Sequence, residues 1–155
     1  MDKRIIGRSV RAAAAILTLS LAAACVTEPE DDHGDHAEPD GLVIRLGGTE
    51  LVVVDEQTVT GELTVQAGQE TAHLSVAFVD HDGDPVDTDG DYFLQVTVAD
   101  GTVAEFDQDM PGEFGGHFVG LAAGTTTLTF SLMHGEVGTG HADYISPAIT
   151  GTVTP

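Results

Sequence analysis

Leu74-Ser75-Val76-Ala77-Phe78-Val79 and Thr127-Leu128-Thr129-Phe130-Ser131-Leu132 decide the fold. In both, large apolar residues alternate with small or hydroxylated ones, which is the period of a strand with one face on a core and the other in water. Outward from these two stretches, short runs rich in Val, Leu, Thr and Phe follow one another from Leu42 to the C-terminus, separated by clusters of Gly, Asp and Pro. Strands are expected near 42–46, 50–54, 58–66, 71–79, 92–99, 103–107, 116–121, 125–133 and 143–153. No long helical period interrupts them. The fold class is therefore all-β, and a sandwich over residues 42–155 accommodates nine short strands more economically than a closed barrel.

Charge is distributed very unevenly. The chain of 155 residues has 5 Lys+Arg against 26 Asp+Glu, and four of the five bases lie in the first eleven positions. From Cys25 onward a single base, Arg45, stands among 25 acids, and lysine is absent. Such a surface repels phosphate backbones and anionic headgroups and attracts cations, so no nucleic-acid partner is expected. The single cysteine excludes an internal disulfide and any cage of several thiolates.

Residues 1–24 have the form of an export signal, with a basic start and a short apolar stretch from Ala12 to Ala24 that is too short for an ordinary membrane span. The stretch ends in Leu21-Ala22-Ala23-Ala24-Cys25, which resembles the lipobox of bacterial lipoproteins. That resemblance implies lipidation of Cys25 and an anchor in the cell envelope without a spanning helix in the mature chain. Val26 after the cysteine, by likeness to enterobacterial sorting, points to the outer membrane, at its periplasmic face or at the cell surface. Residues 25–41 then form a tether. Thr27 to Gly41 holds seven acids in fifteen positions and too few apolar groups to bury, so it is expected to be disordered. Within it, Asp32, His33, Asp35 and His36 form a short cluster of the kind that binds divalent metals weakly.

The sandwich also carries a resemblance. Val98-Ala99-Asp100-Gly101-Thr102-Val103-Ala104-Glu105-Phe106, followed by Gly120-Leu121-Ala122-Ala123-Gly124-Thr125-Thr126-Thr127-Leu128, resembles the second half of a bacterial Ig-like domain of the group 2 type. Leu63 to Thr71, followed by Phe78-Val79-Asp80 and Asp82-Gly83, is similar to its first strands and hairpin. The resemblance implies an immunoglobulin-like β-sandwich. Its motifs are turn chemistry and say little about activity.

If successive strands alternate in direction, every second connection lies at the same end of the sandwich. The long polar connections 80–91, 108–115 and 134–142 then share one end, together with the tether. His81, His117, His134 and His141 gather there, and His73, at the other end of its strand, drops out. His134 shares the parity of Phe130 and Leu132, and His117 that of Val119 and Leu121, so both are expected to face the mouth between the sheets. His134 and His141 stand symmetrically about Gly135-Glu136-Val137-Gly138-Thr139-Gly140 and should meet across a strand pair. Imidazoles converging with a carboxylate make a site for Zn²⁺, Cu²⁺ or Ni²⁺, zinc foremost. The expected ligands are His117, His134 and His141, completed by Asp143 or His81.

Calcium is the competing cation. Asp80, Asp82, Asp84, Asp87, Asp89 and Asp91 fall in one loop and offer hard oxygens. As an EF-hand loop it fails, because Pro85 stands where the turn needs glycine and Asp91 replaces the bidentate glutamate. No H-E-x-x-H, G-x-S-x-G or phosphate loop is present, so catalysis is not expected. Two functions remain. One is an anchored metal-binding protein for capture or delivery, with a metal transporter or receptor as its partner. The other is a structural or adhesion module of the bacterial Ig-like type, stabilised by calcium.

Overall fold

A computed structural model describes residues 38–88 and 90–155 of the chain. Within them the chain forms eleven strands and no helix: β1 (Gly41–Leu46), β2 (Thr49–Asp55), β3 (Thr58–Gly61), β4 (Leu63–Gln66), β5 (Leu74–Val79), β6 (Tyr92–Val98), β7 (Ala104–Asp107), β8 (Gly115–Gly120), β9 (Gly124–His134), β10 (His141–Ile145) and β11 (Ile149–Thr154). A six-stranded sheet runs in the order β3-β2-β1-β5-β8-β7. The five-stranded sheet is organised by β9, which pairs with β6 along one edge and with β10 and then β11 along the other, and β4 lies parallel beyond β11.

The two sheets face each other across one core. Leu42, Ile44, Val52, Leu74, Phe78 and Phe118 come from the first sheet, and Leu63, Leu94, Leu128, Phe130, Leu132 and Ile149 from the second. All are essentially without solvent contact, and each such side chain contributes about 1.5–3 kcal/mol through removal from water. The alternation that decided the fold is visible directly: Leu74, Val76 and Phe78 point inward from β5, and Leu128, Phe130 and Leu132 from β9.

Two of the nine expected strands are each divided in two, for local reasons. The stretch 58–66 breaks after Gly61, whose φ of 92° suits glycine alone, and a Cβ there would strike the Leu51 carbonyl oxygen. The chain then leaves the edge of one sheet as β3 and joins the other as β4. The stretch 143–153 breaks at Ser146-Pro147, where the buried Ser146 hydroxyl donates to the Pro147 carbonyl and accepts the Phe130 amide. Both halves, β10 and β11, still run antiparallel to β9, so this division leaves the expected direction of the chain unchanged.

The long connections share one end. The Gly135 amide donates to the Asp91 carbonyl at 2.7 Å. Gly112 lies against Val137, and Asp40 lies 3.9 Å from His81. No helix among the described residues is long and apolar enough to cross a membrane. The signal, Cys25 and the tether cluster of Asp32, His33, Asp35 and His36 lie outside the described residues.

Candidate metal centre

β9 ends on His134 and β10 begins on His141, and the register sets them directly opposite each other. The six residues between them close through amides of Thr139 and Gly140 that both donate to the Glu136 carbonyl. Because β9 buries every second residue from Thr126 to Leu132, His134 falls on the inward side at the open end of the sandwich. On its other flank the register places Tyr92, whose ring stacks on the imidazole with centroids 4.7 Å apart. The two imidazole centroids are 5.4 Å apart.

Asp143 reaches this pair through a β-bulge. The pairing of β10 with β9 runs His141 to His134 and Ala142 to Met133, then resumes at Tyr144 to Leu132, leaving Asp143 as the extra residue. A bulge of this kind re-aims a side chain. Tyr144 takes the inward place beside Leu132 and packs edge-on to Phe78, while the Asp143 carboxylate, only 12% exposed, turns under the imidazoles. Its Oδ1 is 3.0 Å from His141 Nε2, and its Oδ2 is 3.8 Å from His134 Nδ1. One ligand atom from each of the three residues lies within 4.8 Å of the others. Burial, and then the charge of Asp40, raises the Tyr144 phenol above its ordinary pKa, so that hydroxyl stays protonated.

His117 is elsewhere. Phe118, not Val119, is the buried marker of β8, with Gly116 and Gly120 on the same inward face. His117 therefore projects outward, and Leu121 is half exposed rather than buried. It also stands away from the rim: Gly116 is level with Leu74, the first residue of β5. The Asp80 loop starts after Val79, about 17 Å farther along at roughly 3.4 Å per residue. Its neighbour is His73, the histidine expected to drop out, with ring centroids 5.4 Å apart and the planes nearly perpendicular. The shared end correctly relates loops, but β7 and β8 are short and stop below it, so the 108–115 connection descends the side of the sandwich.

In this second cluster His117 Nδ1 lies 2.8 Å from the Thr71 carbonyl oxygen. A carbonyl can only accept, so Nδ1 carries the proton. That hydrogen bond, opposed by desolvation and aided by the charges of Asp109 and Glu70, raises the His117 pKa above the ordinary imidazole value. His117 Nε2 is 3.7 Å from Asp109 Oδ2, and His73 Nε2 is 4.0 Å from the same oxygen and 3.5 Å from Glu113 Oε1.

His81 does not join either cluster. It is largely exposed and pairs only loosely with Asp40. Neither three-residue grouping of metal-ligating side chains among the described residues draws on the loop of Asp80, Asp82, Asp84, Asp87 and Asp91; Asp89 lies outside the described residues. Asp80 spends its Oδ1 on the amides of Asp82 and Asp84, closing a turn around Gly83. Turn chemistry accounts for that aspartate without an ion. Compared with known proteins, the chain matches no family model and no curated sequence.

Proposed function

We propose that this chain is a lipid-anchored cell-envelope protein that captures or delivers a divalent transition metal, zinc foremost, with His134, His141 and Asp143 as ligands. The observation that carries this reading is the convergence of two imidazoles and one carboxylate from facing strands within 4.8 Å. Three protein ligands suit zinc and leave a fourth position open, which is the arrangement of exchangeable rather than closed sites. His141 is 68% exposed, so an incoming donor could reach the ion from solvent. His141 Nε2 lies 3.0 Å from Asp143 Oδ1, and a metal ion binds only the deprotonated nitrogen, so binding weakens as pH falls. The surrounding acids raise the local cation concentration. The lipobox-like Leu21 to Cys25 supports the anchor, and a membrane metal transporter or receptor is the partner such an anchored protein would serve.

The test is calorimetric titration of the full chain in detergent with Zn²⁺, Cu²⁺, Ni²⁺ and Ca²⁺. His33 and His36 are changed to alanine beforehand to silence the tether. Low-micromolar or tighter transition-metal binding that weakens in the His134→Ala, His141→Ala variant supports the reading. Stabilisation by calcium alone would favour the adhesion module of bacterial Ig-like type.

A further inference from the structure

We propose that the outer side of the six-stranded sheet carries a second metal centre, made by His73, Asp109 and Glu113, with His117 at its edge as the fourth ligand. It uses none of the hairpin ligands and stands or falls separately from them. The first argument is distance. The imidazole–carboxylate separations of 3.5, 3.7 and 4.0 Å all exceed the 2.7–3.2 Å of an ordinary N–H···O hydrogen bond. They approach the edge of a tetrahedron around zinc, about 3.4 Å when bonds are 2.0–2.1 Å long. One ligand atom each from His73, Asp109 and Glu113 lies within 4.8 Å of the others, a spacing that admits an ion between them, and His117 Nε2 adjoins the set through Asp109 at 3.7 Å.

The second argument is preorganisation. The Thr71 carbonyl holds the His117 proton on Nδ1, which turns the Nε2 lone pair toward Asp109, and ligating histidines are commonly fixed in this way by a carbonyl on the other nitrogen. Glu113 Oε1 is fixed by the Asp109 amide at 2.8 Å, and Gln108 Nε2 donates to the Glu113 carbonyl at 2.8 Å. His73 lies over Gly115, where any Cβ would collide with the imidazole. Glycine at 115 thus admits the ring that completes the set.

The ligands come from three places: the approach to β5, the 108–114 loop and β8. That loop is itself bound to the other sheet, since the Leu94 amide of β6 donates to the Gly112 carbonyl. An ion at this centre would cross-link the loop to the six-stranded sheet and, through the loop, to β6. With His117 drawn in as the fourth ligand, its chemistry is that of a structural site.

The experiment is zinc titration of the ¹⁵N-labelled full chain in detergent, with His33 and His36 again replaced by alanine, followed through the imidazole nitrogens. In a His134→Ala, His141→Ala background, Nε2 of His73 and His117 should both move to zinc-bound shifts with one equivalent. His117 Nδ1 should keep its proton, and the thermal midpoint should rise. Asp109→Asn, Glu113→Gln, which preserves shape, should weaken that binding at least tenfold. Unmoved His73 and His117 nitrogens, or undiminished affinity in the Asp109→Asn, Glu113→Gln variant, would overturn the proposal. In the chain that keeps His134 and His141, failure of those two imidazoles alone to respond would count only against the first centre.

Discussion

Two clusters of imidazole and carboxylate occupy this sandwich, and they differ in how the backbone delivers them. The hairpin cluster takes all three ligands from ten consecutive residues, 134–143, at the end of one strand pair. The loop cluster draws on residues 73, 109, 113 and 117, brought together only when β8 docks beside β5. A ligand set on one hairpin is assembled cheaply but shielded on few sides, as the exposure of His141 shows. A set gathered from distant segments is no better shielded here, with His73 46% and Asp109 63% exposed, but any ion in it ties those segments together. The two proposed centres therefore divide into one suited to exchange and one suited to holding the fold.

The largest expected effect separates the centres outright. Changing His134 and His141 to alanine should cost the hairpin centre more than about 100-fold in zinc affinity, beyond the 10–100-fold of losing an outer partner. The loop centre should be unaltered, with both followed by imaging the histidine resonances during titration. Gly115→Ala is the converse. Its Cβ would force His73 off the sheet, so the loop centre should lose zinc while the hairpin keeps it. Chemical denaturation should show a loss of about 1–3 kcal/mol from overpacking.

How much of this could be read in advance follows the same division. The inward faces of β5 and β9 are legible because alternation is local, and the meeting of His134 with His141 is legible because a hairpin places residues symmetrically about its turn. The bulge at Asp143 is not legible, since nothing in Ala142-Asp143-Tyr144 announces an extra residue. The outward face of His117 runs against the parity of Val119 and Leu121, because Phe118 is the large residue that β8 buries. The small-large-small pattern of Gly116, Phe118 and Gly120 was the available signal: the aromatic fills the core and the glycines admit neighbours such as Phe106 and Val153. The pairing of His73 with His117 depends on how far β8 slides along β5, a tertiary quantity with no signature in either segment.

Smaller effects sharpen the comparison. In metal-free protein, NMR titration should find His117 protonating above the ordinary imidazole value. Because the folded pKa is the higher one, its contribution to stability is complete below the unfolded value of about 6.5 and disappears as pH rises through the folded value. His117→Gln should remove that part of the pH dependence. The smallest effect lies at a turn remote from both clusters. Asp100 is held below the usual carboxylate value, first by the Thr102 hydroxyl and then by the Thr102 amide. Its contribution is present above the unfolded pKa and is lost as pH falls through the depressed one. Thr102→Val should raise the Asp100 pKa, read from carboxyl carbon shifts, and leave zinc binding at both centres unchanged.

The chain has no tryptophan and only two tyrosines, and both border the hairpin: Tyr92 stacks on His134, and Tyr144 adjoins Asp143 in the bulge. Its tyrosine emission therefore originates beside one of the two clusters. A paramagnetic ion such as Cu²⁺ arriving there should darken the tyrosines more than one held by the loop cluster, giving an intrinsic optical label that distinguishes the two without any added dye.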